Sequence, residues 1–234
     1  MAIKRYTAIR DNTITNAYER NLTTRGTGSN MGASDVVEIF SLYAQRDSGS
    51  AELSRTLFQF PISKISSDRS AATIPASGSV KFYLRLYNAK HAFTLPRNFT
   101  LTVQAVSSSW QEGFGLDMEE YSDLTYDGEG SNWLRTTDSA SWTAIGGDYH
   151  TNEYSAGTVN GPFPQYNVSF DSGVEDIELN VTAMVEEWLA STQPNYGLGV
   201  KLTSSQEVYV DNYSNKATPG STTVANVVNL TGSK

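Results

Sequence analysis

Three groups of residues in this chain have types and spacings that could carry chemistry. His150 stands two residues after Asp148, the adjacency of a base and its orienting carboxylate. A loop histidine in a polar turn is the better reading, because His91 is the only other histidine and neither falls in a His-x-x-x-His or His-Glu-x-x-His spacing. Asp117, Glu119, Glu120, Asp123, Asp127 and Glu129 are a crowd of oxygen ligands of the kind calcium takes, yet they lack the Asp-x-Asp-x-Asp-Gly order of a calcium loop. A solvated acidic loop is favoured over a metal site. Glu112 with any of these has the residue types of a glycosidase pair, but spacing does not encode the carboxylate separation such a pair needs. The third group is aromatic: Trp110, Trp133, Trp142, Tyr121, Tyr126 and Tyr149 offer ring faces on which sugars stack. Within it, Trp133, Trp142, Tyr126 and Tyr149 are the expected contacts with a carbohydrate or a partner protein, while Trp110 and Trp188 read as core plugs. No Gly-x-Ser-x-Gly elbow, phosphate-binding loop or dinucleotide fingerprint occurs. The expectation is a non-enzyme with no catalytic residue, no metal and no cofactor.

Most of these candidates fall in residues 110–164, a glycine-rich stretch with weak periodicity. Structureless loops rarely exceed ~12–15 residues, so this one is either ordered by its aromatics or functional. The elements that must hold it are strands. Val80, Phe82, Leu84 and Leu86 alternate with Lys81, Tyr83, Arg85 and Tyr87, and Phe99, Leu101, Val103 and Ala105 with Thr100, Thr102 and Gln104. Two such alternators suggest antiparallel strands with one wet face. Residues 35–43 and 56–62 carry apolar side chains on both faces, as central strands do, with Pro61 ending the second and a polar loop over 66–79. Residues 166–170 and 174–181 read as a strand pair around Asp171-Ser-Gly173.

The one change of periodicity lies in residues 178–202. Ile177, Leu179 and Val181 alternate as a strand, and Val181, Met184, Val185, Trp188 and Leu189 then form a helical stripe. Thr182 is placed to cap that helix, at about 182–191, and Glu186 and Glu187 read as its solvated side. Pro194 and Gly197 end the unit before Leu198, Val200 and Leu202 resume the alternation. With no βαβ order, the pattern predicts an all-β, jelly-roll or Greek-key β-sandwich with one short helix, forming a single domain over residues 1–234 with an insert at about 110–164.

The totals narrow the class. A net charge of −8 and 25 acidic against 17 basic residues argue against a nucleic-acid surface. There is no cysteine, so no disulfide framework. No apolar run approaches the ~20 residues of a membrane span, and the first residues lack a secretory apolar core. The expected product is soluble and made in a cytoplasm, with no nucleic-acid and no membrane partner.

The order of short motifs resembles the DNRLRE-type (disaggregatase-related) β-sandwich module of surface and carbohydrate-associated proteins. Asp11-Asn-Thr-Ile14, Ser29-Asn-Met-Gly32 with Val36-Val-Glu-Ile39, and Arg55-Thr-Leu-Phe-Gln-Phe-Pro-Ile62 are similar to its early strands and loop. Ser109-Trp-Gln-Glu112, the stretch from Asn180 to Trp188 and Asn195-Tyr-Gly-Leu198 are similar to its later ones. The stretches 1–8, 11–17, 21–32 and 146–150 are also similar to virion structural proteins of tailed phages that infect marine cyanobacteria. That resemblance implies a non-enzymatic particle component, whether head decoration, neck or tail and fibre piece. Its partners would be other virion proteins and copies of itself. The alternative is a carbohydrate-binding module on a fibre, with host polysaccharide as partner. The module's closing strand has only weak substitutes here, at 208–210 and 224–230. An open sheet edge is therefore expected to pair with a neighbour, unless the chain is a fragment of a longer product.

Overall fold

The computed structural model describes residues 3–43, 45–47, 50–90, 96–117, 129–150 and 165–207, and the backbone of 154–155 and 158–159. The fold is an all-β sandwich. In chain order its elements are β1 (Arg10–Thr15), β2 (Ser41–Tyr43), β3 (Ala51–Gln59), α1 (Ile62–Ser70), β4 (Tyr83–Leu86), β5 (Phe99–Ala105), β6 (Tyr154–Ser155), β7 (Thr158–Val159), β8 (Tyr166–Phe170), β9 (Ile177–Asn180), α2 (Thr182–Leu189) and β10 (Leu198–Leu202). The main sheet runs β1-β3-β10-β5-β8, with β2 also on β3, and all of its pairings are antiparallel.

Alternation gives the main sheet two unlike faces. One face carries Phe58, Leu101, Val103, Ala105, Phe170, Leu198, Val200 and Leu202, buried against Leu84 of β4, Ile177 of β9 and the stripe Met184, Val185 and Trp188 of α2. The cross-strand pair Phe99 and Phe170 closes the β8 end, its rings stacked 4.7 Å apart. The opposite face is built from Ile14, Arg55, Leu57, Gly199, Lys201, Gln104, Thr102 and Asn167, as the register requires. Its β1–β3 half is covered by a second core of Ile14, Leu57, Val106, Trp110, Trp133 and Trp142.

Several expectations need correcting. Among the described residues there are two helices, where one was expected. Pro61 ends the strand reading but stands at the N-cap position of α1, where its missing N–H costs nothing. The helix has only Ile65 and Asp68 buried, so no apolar stripe announces it. Thr182 is the first residue of α2 and Val181 takes the cap position. Thr182 instead receives the Phe82 N–H on its hydroxyl at 2.9 Å, tying the helix to the chain entering β4. The alternating segments at 80–87 and 98–106 do not pair with each other. Nor do 166–170 and 174–181: β5 joins β8 in the main sheet, while β4 joins β9 in a separate two-stranded one. Both turns cross between layers, because each strand's apolar face must meet the same core from opposite sides. In residues 35–43 the ladder is confined to β2, although Val37 and Ile39 still pack on the main core. Side-chain oxygens replace the missing ladder partners: Thr13 accepts the Glu38 N–H at 3.1 Å and Ser54 accepts that of Phe40 at 2.8 Å. The weak strands at 208–210 and 224–230, and the edge they were expected to complete, lie outside the described residues.

Candidate functional site

The segments 110–117 and 129–150 are ordered by aromatic burial and by one asparagine. Trp110, Trp133 and Trp142 are 2%, 5% and 5% exposed. The indole N–H of Trp142 donates to the Asn132 carbonyl at 2.8 Å and that of Trp110 to the Tyr196 carbonyl at 2.7 Å. Trp133 and Trp142, expected to offer stacking faces to a sugar, are spent on the second core, since an indole buries more free energy inside than it gains at the surface. Tyr126, Tyr121 and His91 lie outside the described residues. Tyr149 is half-buried and belongs to the same cluster.

Asn30, fully buried, uses its whole hydrogen-bonding capacity. Its amide nitrogen donates to the carbonyls of Glu112 at 2.7 Å and Ser131 at 2.8 Å. Its amide oxygen accepts from the N–H groups of Gly32 at 3.2 Å and Gly115 at 2.8 Å. The backbone passes so close that a β-carbon on Gly113, Gly115 or Gly130 would stand 2.1–2.6 Å from its nearest neighbours. Gly113, Gly115 and Asp117 thus turn toward Asn30, and the residues between them turn out. Phe114 is 65% and Leu116 57% exposed.

The suspected chemical pairs are taken apart. Asp148 is not the orienter of His150. It accepts the N–H groups of Thr143 at 2.9 Å and Ala144 at 2.7 Å and the Ser108 hydroxyl at 2.7 Å. Burial pushes its carboxyl up, but these donors outweigh burial and hold it below the ordinary carboxylate range. Burial lowers the His150 imidazole. Of the acids at 117–129, Asp117 is buried and accepts the Asn30 N–H at 2.9 Å, and Glu129 is exposed. The others lie outside the described residues, among which no group of three or more His, Asp or Glu is placed to hold a metal. Glu112 accepts the Asp11 N–H at 2.8 Å, and its charge adds to burial in raising the Asp11 carboxyl. Glu186 is not a solvated side chain: both oxygens pair with Arg69 of α1, at 2.7 and 2.8 Å.

Sequence periodicity did not announce a charged centre on the same face of the main sheet as the second core. Arg55 makes a two-pronged bond with Glu207 at 2.9 and 2.7 Å and donates to the Gly146 carbonyl at 2.7 Å. Its guanidinium lies between the rings of Trp133 and Tyr149, 5.1 and 5.9 Å from their centroids. The Lys201 ammonium sits 4.7 Å from the Tyr149 centroid on the neighbouring central strand. Beyond it stand Thr102, whose hydroxyl donates to Asn167 at 3.0 Å, and Gln104, whose amide donates to Gln165 and to the His150 carbonyl, each at 3.0 Å. Burial pushes the Tyr149 phenol up to about 12. The one trace of it in the sequence, not used above, is Gly199 inside a strand, since a strand glycine marks the close approach of another group.

In comparisons with known proteins, no family model matches the chain, no curated protein matches it, and no solved structure matches it.

Proposed function

We propose that this chain is a non-enzymatic structural protein of a phage particle, a head decoration, neck or tail and fibre component, working through contacts with other virion proteins and copies of itself. The phage assignment draws on the sequence likenesses over 1–8, 11–17, 21–32 and 146–150. The contact function draws on one observation, the display of Phe114 and Leu116. Two large apolar side chains stand at 65% and 57% exposure on a segment whose alternate residues are pinned to a saturated asparagine. Burying such a side chain contributes about 1.5–3 kcal/mol. A pre-ordered backbone loses little further entropy on docking. Particles lacking the protein should take up the purified chain. The pair Phe114→Asp with Leu116→Asp should abolish uptake without lowering Tm, and uptake equal to wild type would remove this surface from the account.

A second reading, a carbohydrate-binding module on a host-recognition fibre, is favoured by the exposed Asn167 and half-buried Lys201 on the same face of the main sheet. A side-chain amide and an ammonium are groups that pair with sugar hydroxyls. On this reading the contact residues move from Trp133 and Trp142 to that face.

A further inference from the structure

The small sheet of β4 and β9 covers the main core with one face and turns the other outward. Leu84 and Ile177 are buried in that core, with Leu86 and Leu179 packed against it. Alternation therefore sends Tyr83, Arg85, Glu178 and Asn180 to the outer face, where all four are exposed. Tyr83 stands opposite Asn180, and Arg85 opposite Glu178, with which it pairs. Tyr87 and Asp176, also exposed, extend the row past the strands, where Asp176 accepts the Asn88 N–H at 2.8 Å. Tyr83 is 49% and Tyr87 70% exposed, two large rings left to solvent. The charges divide by strand, with the cation on β4 and both anions on β9 and its approach. Lys81, exposed just before β4, adds a second cation, so basic and acidic side chains balance on this face of a chain whose net charge is −8.

We infer that this face is an interface with a second copy of the chain, related by a two-fold axis running along the strands between β4 and β9. That axis lays β4 of each copy over β9 of the other, and every contact is made twice. Arg85 meets Glu178 of the other copy, its five N–H donors leaving room for a second carboxylate. The Tyr87 phenol donates to Asp176. The Asn180 oxygen already holds the N–H and hydroxyl of Thr182, so its amide N–H groups donate to the Tyr83 phenol. The charges select this geometry. An axis across the strands stacks β4 on β4, and edge-to-edge pairing sets a strand beside its own copy. Both bring like charges together, which is destabilising. A balanced face is also where two acidic chains repel least. Six side chains are fewer than the ~20–30 residues of a standard interface, so the dimer is weak and forms at high local concentration. Neither Phe114 and Leu116 nor the phage reading enters here, so the two surfaces stand or fall separately.

The test is sedimentation of the full chain over a rising concentration series, using wild type, Arg85→Glu, Glu178→Arg and an equal mixture of these two variants. Wild type should pass from monomer to dimer. Each variant alone should associate at least tenfold more weakly, because its facing pairs then carry one sign. The mixture should recover wild-type association, because each reversed charge meets the other. Folding should survive, since the Arg85–Glu178 pair within one chain is about half exposed and surface pairs contribute little. Tyr83→Ser with Tyr87→Ser, which leaves every charge in place, should weaken the dimer as well. A wild type that stays monomeric at every concentration would overturn the inference. So would a dimer indifferent to the charge reversals, or a mixture that fails to recover. Growth past the dimer that survives Phe114→Asp with Leu116→Asp would overturn the two-fold geometry, and loss of the dimer in that variant would move the contact to the Phe114 segment.

Discussion

The ring of Tyr149 lies directly on the backbone of Gly199, so close that a β-carbon there would stand 2.1 Å from Tyr149 Cε1. Gly199 has an ordinary strand conformation, so the demand for glycine is steric and not torsional. Gly199→Ala should therefore destabilise by about 1–3 kcal/mol, the usual cost of overpacking. Added to Tyr149→Ala, the same change should cost far less, a coupling that a double-mutant cycle in urea would read directly. Additive losses would mean that the contact is not what excludes a side chain at 199.

Asn30 is the keystone of the displayed segment, with two donors and two acceptors all engaged. Asn30→Asp keeps the shape but sets a carboxylate against two carbonyls. The expected loss is on the order of 3 kcal/mol, because each buried polar group left without a partner costs about 1–3 kcal/mol. Hydrogen exchange should show the amide of Gly115 losing protection in the variant; unchanged protection there would detach Asn30 from the ordering of Phe114 and Leu116.

The two helices are joined by the forked Arg69–Glu186 pair, whose side chains are 20% and 21% exposed. Partial exposure and salt screening limit its worth, so Glu186→Gln should cost about 1 kcal/mol, at the upper end for surface pairs because the geometry is two-pronged. A double-mutant cycle with Arg69→Met, run at low and high salt, checks both the size and the screening. A salt-independent coupling would point to packing instead.

Asp68 gathers Lys4 at 2.8 Å, Lys64 at 3.3 Å and the Tyr6 hydroxyl at 2.9 Å, holding the N-terminal arm on α1. The Lys4 bond, with Tyr6 and Lys64 assisting against burial, lowers its carboxyl to about 2 from 3.8. Protons then bind the unfolded chain first. This stability is fully present above pH ~4 and is lost as pH falls toward about 2. Asp68→Asn should flatten the acid limb of the Tm profile within that window, and an unchanged limb would contradict the assignment.

How much of this was legible in the sequence follows from what each element depends on. The inward faces of β4, β5, β10 and α2 could be read because burial writes itself as period 2 or 3.6. α1 could not, because it is held by Asp68 and Arg69 bonding to residues far along the chain. Pairing was misread for β4, β5, β8 and β9, since periodicity fixes a face but not a neighbour. The burial of Trp133 and Trp142 was not written locally either: it depends on Ile14 and Leu57 arriving from β1 and β3. Lys201 read as the polar half of an alternating strand, and only the sheet register sets it beside Arg55, Thr102 and Tyr149.

The central claim is that the chain works as a component of a particle. Quantitative mass spectrometry of the purified virions that carry its gene tests it most directly. The account predicts the chain at a fixed stoichiometry that matches a symmetric set of attachment sites. Its absence from the particles, or presence only at trace and variable levels, would contradict it.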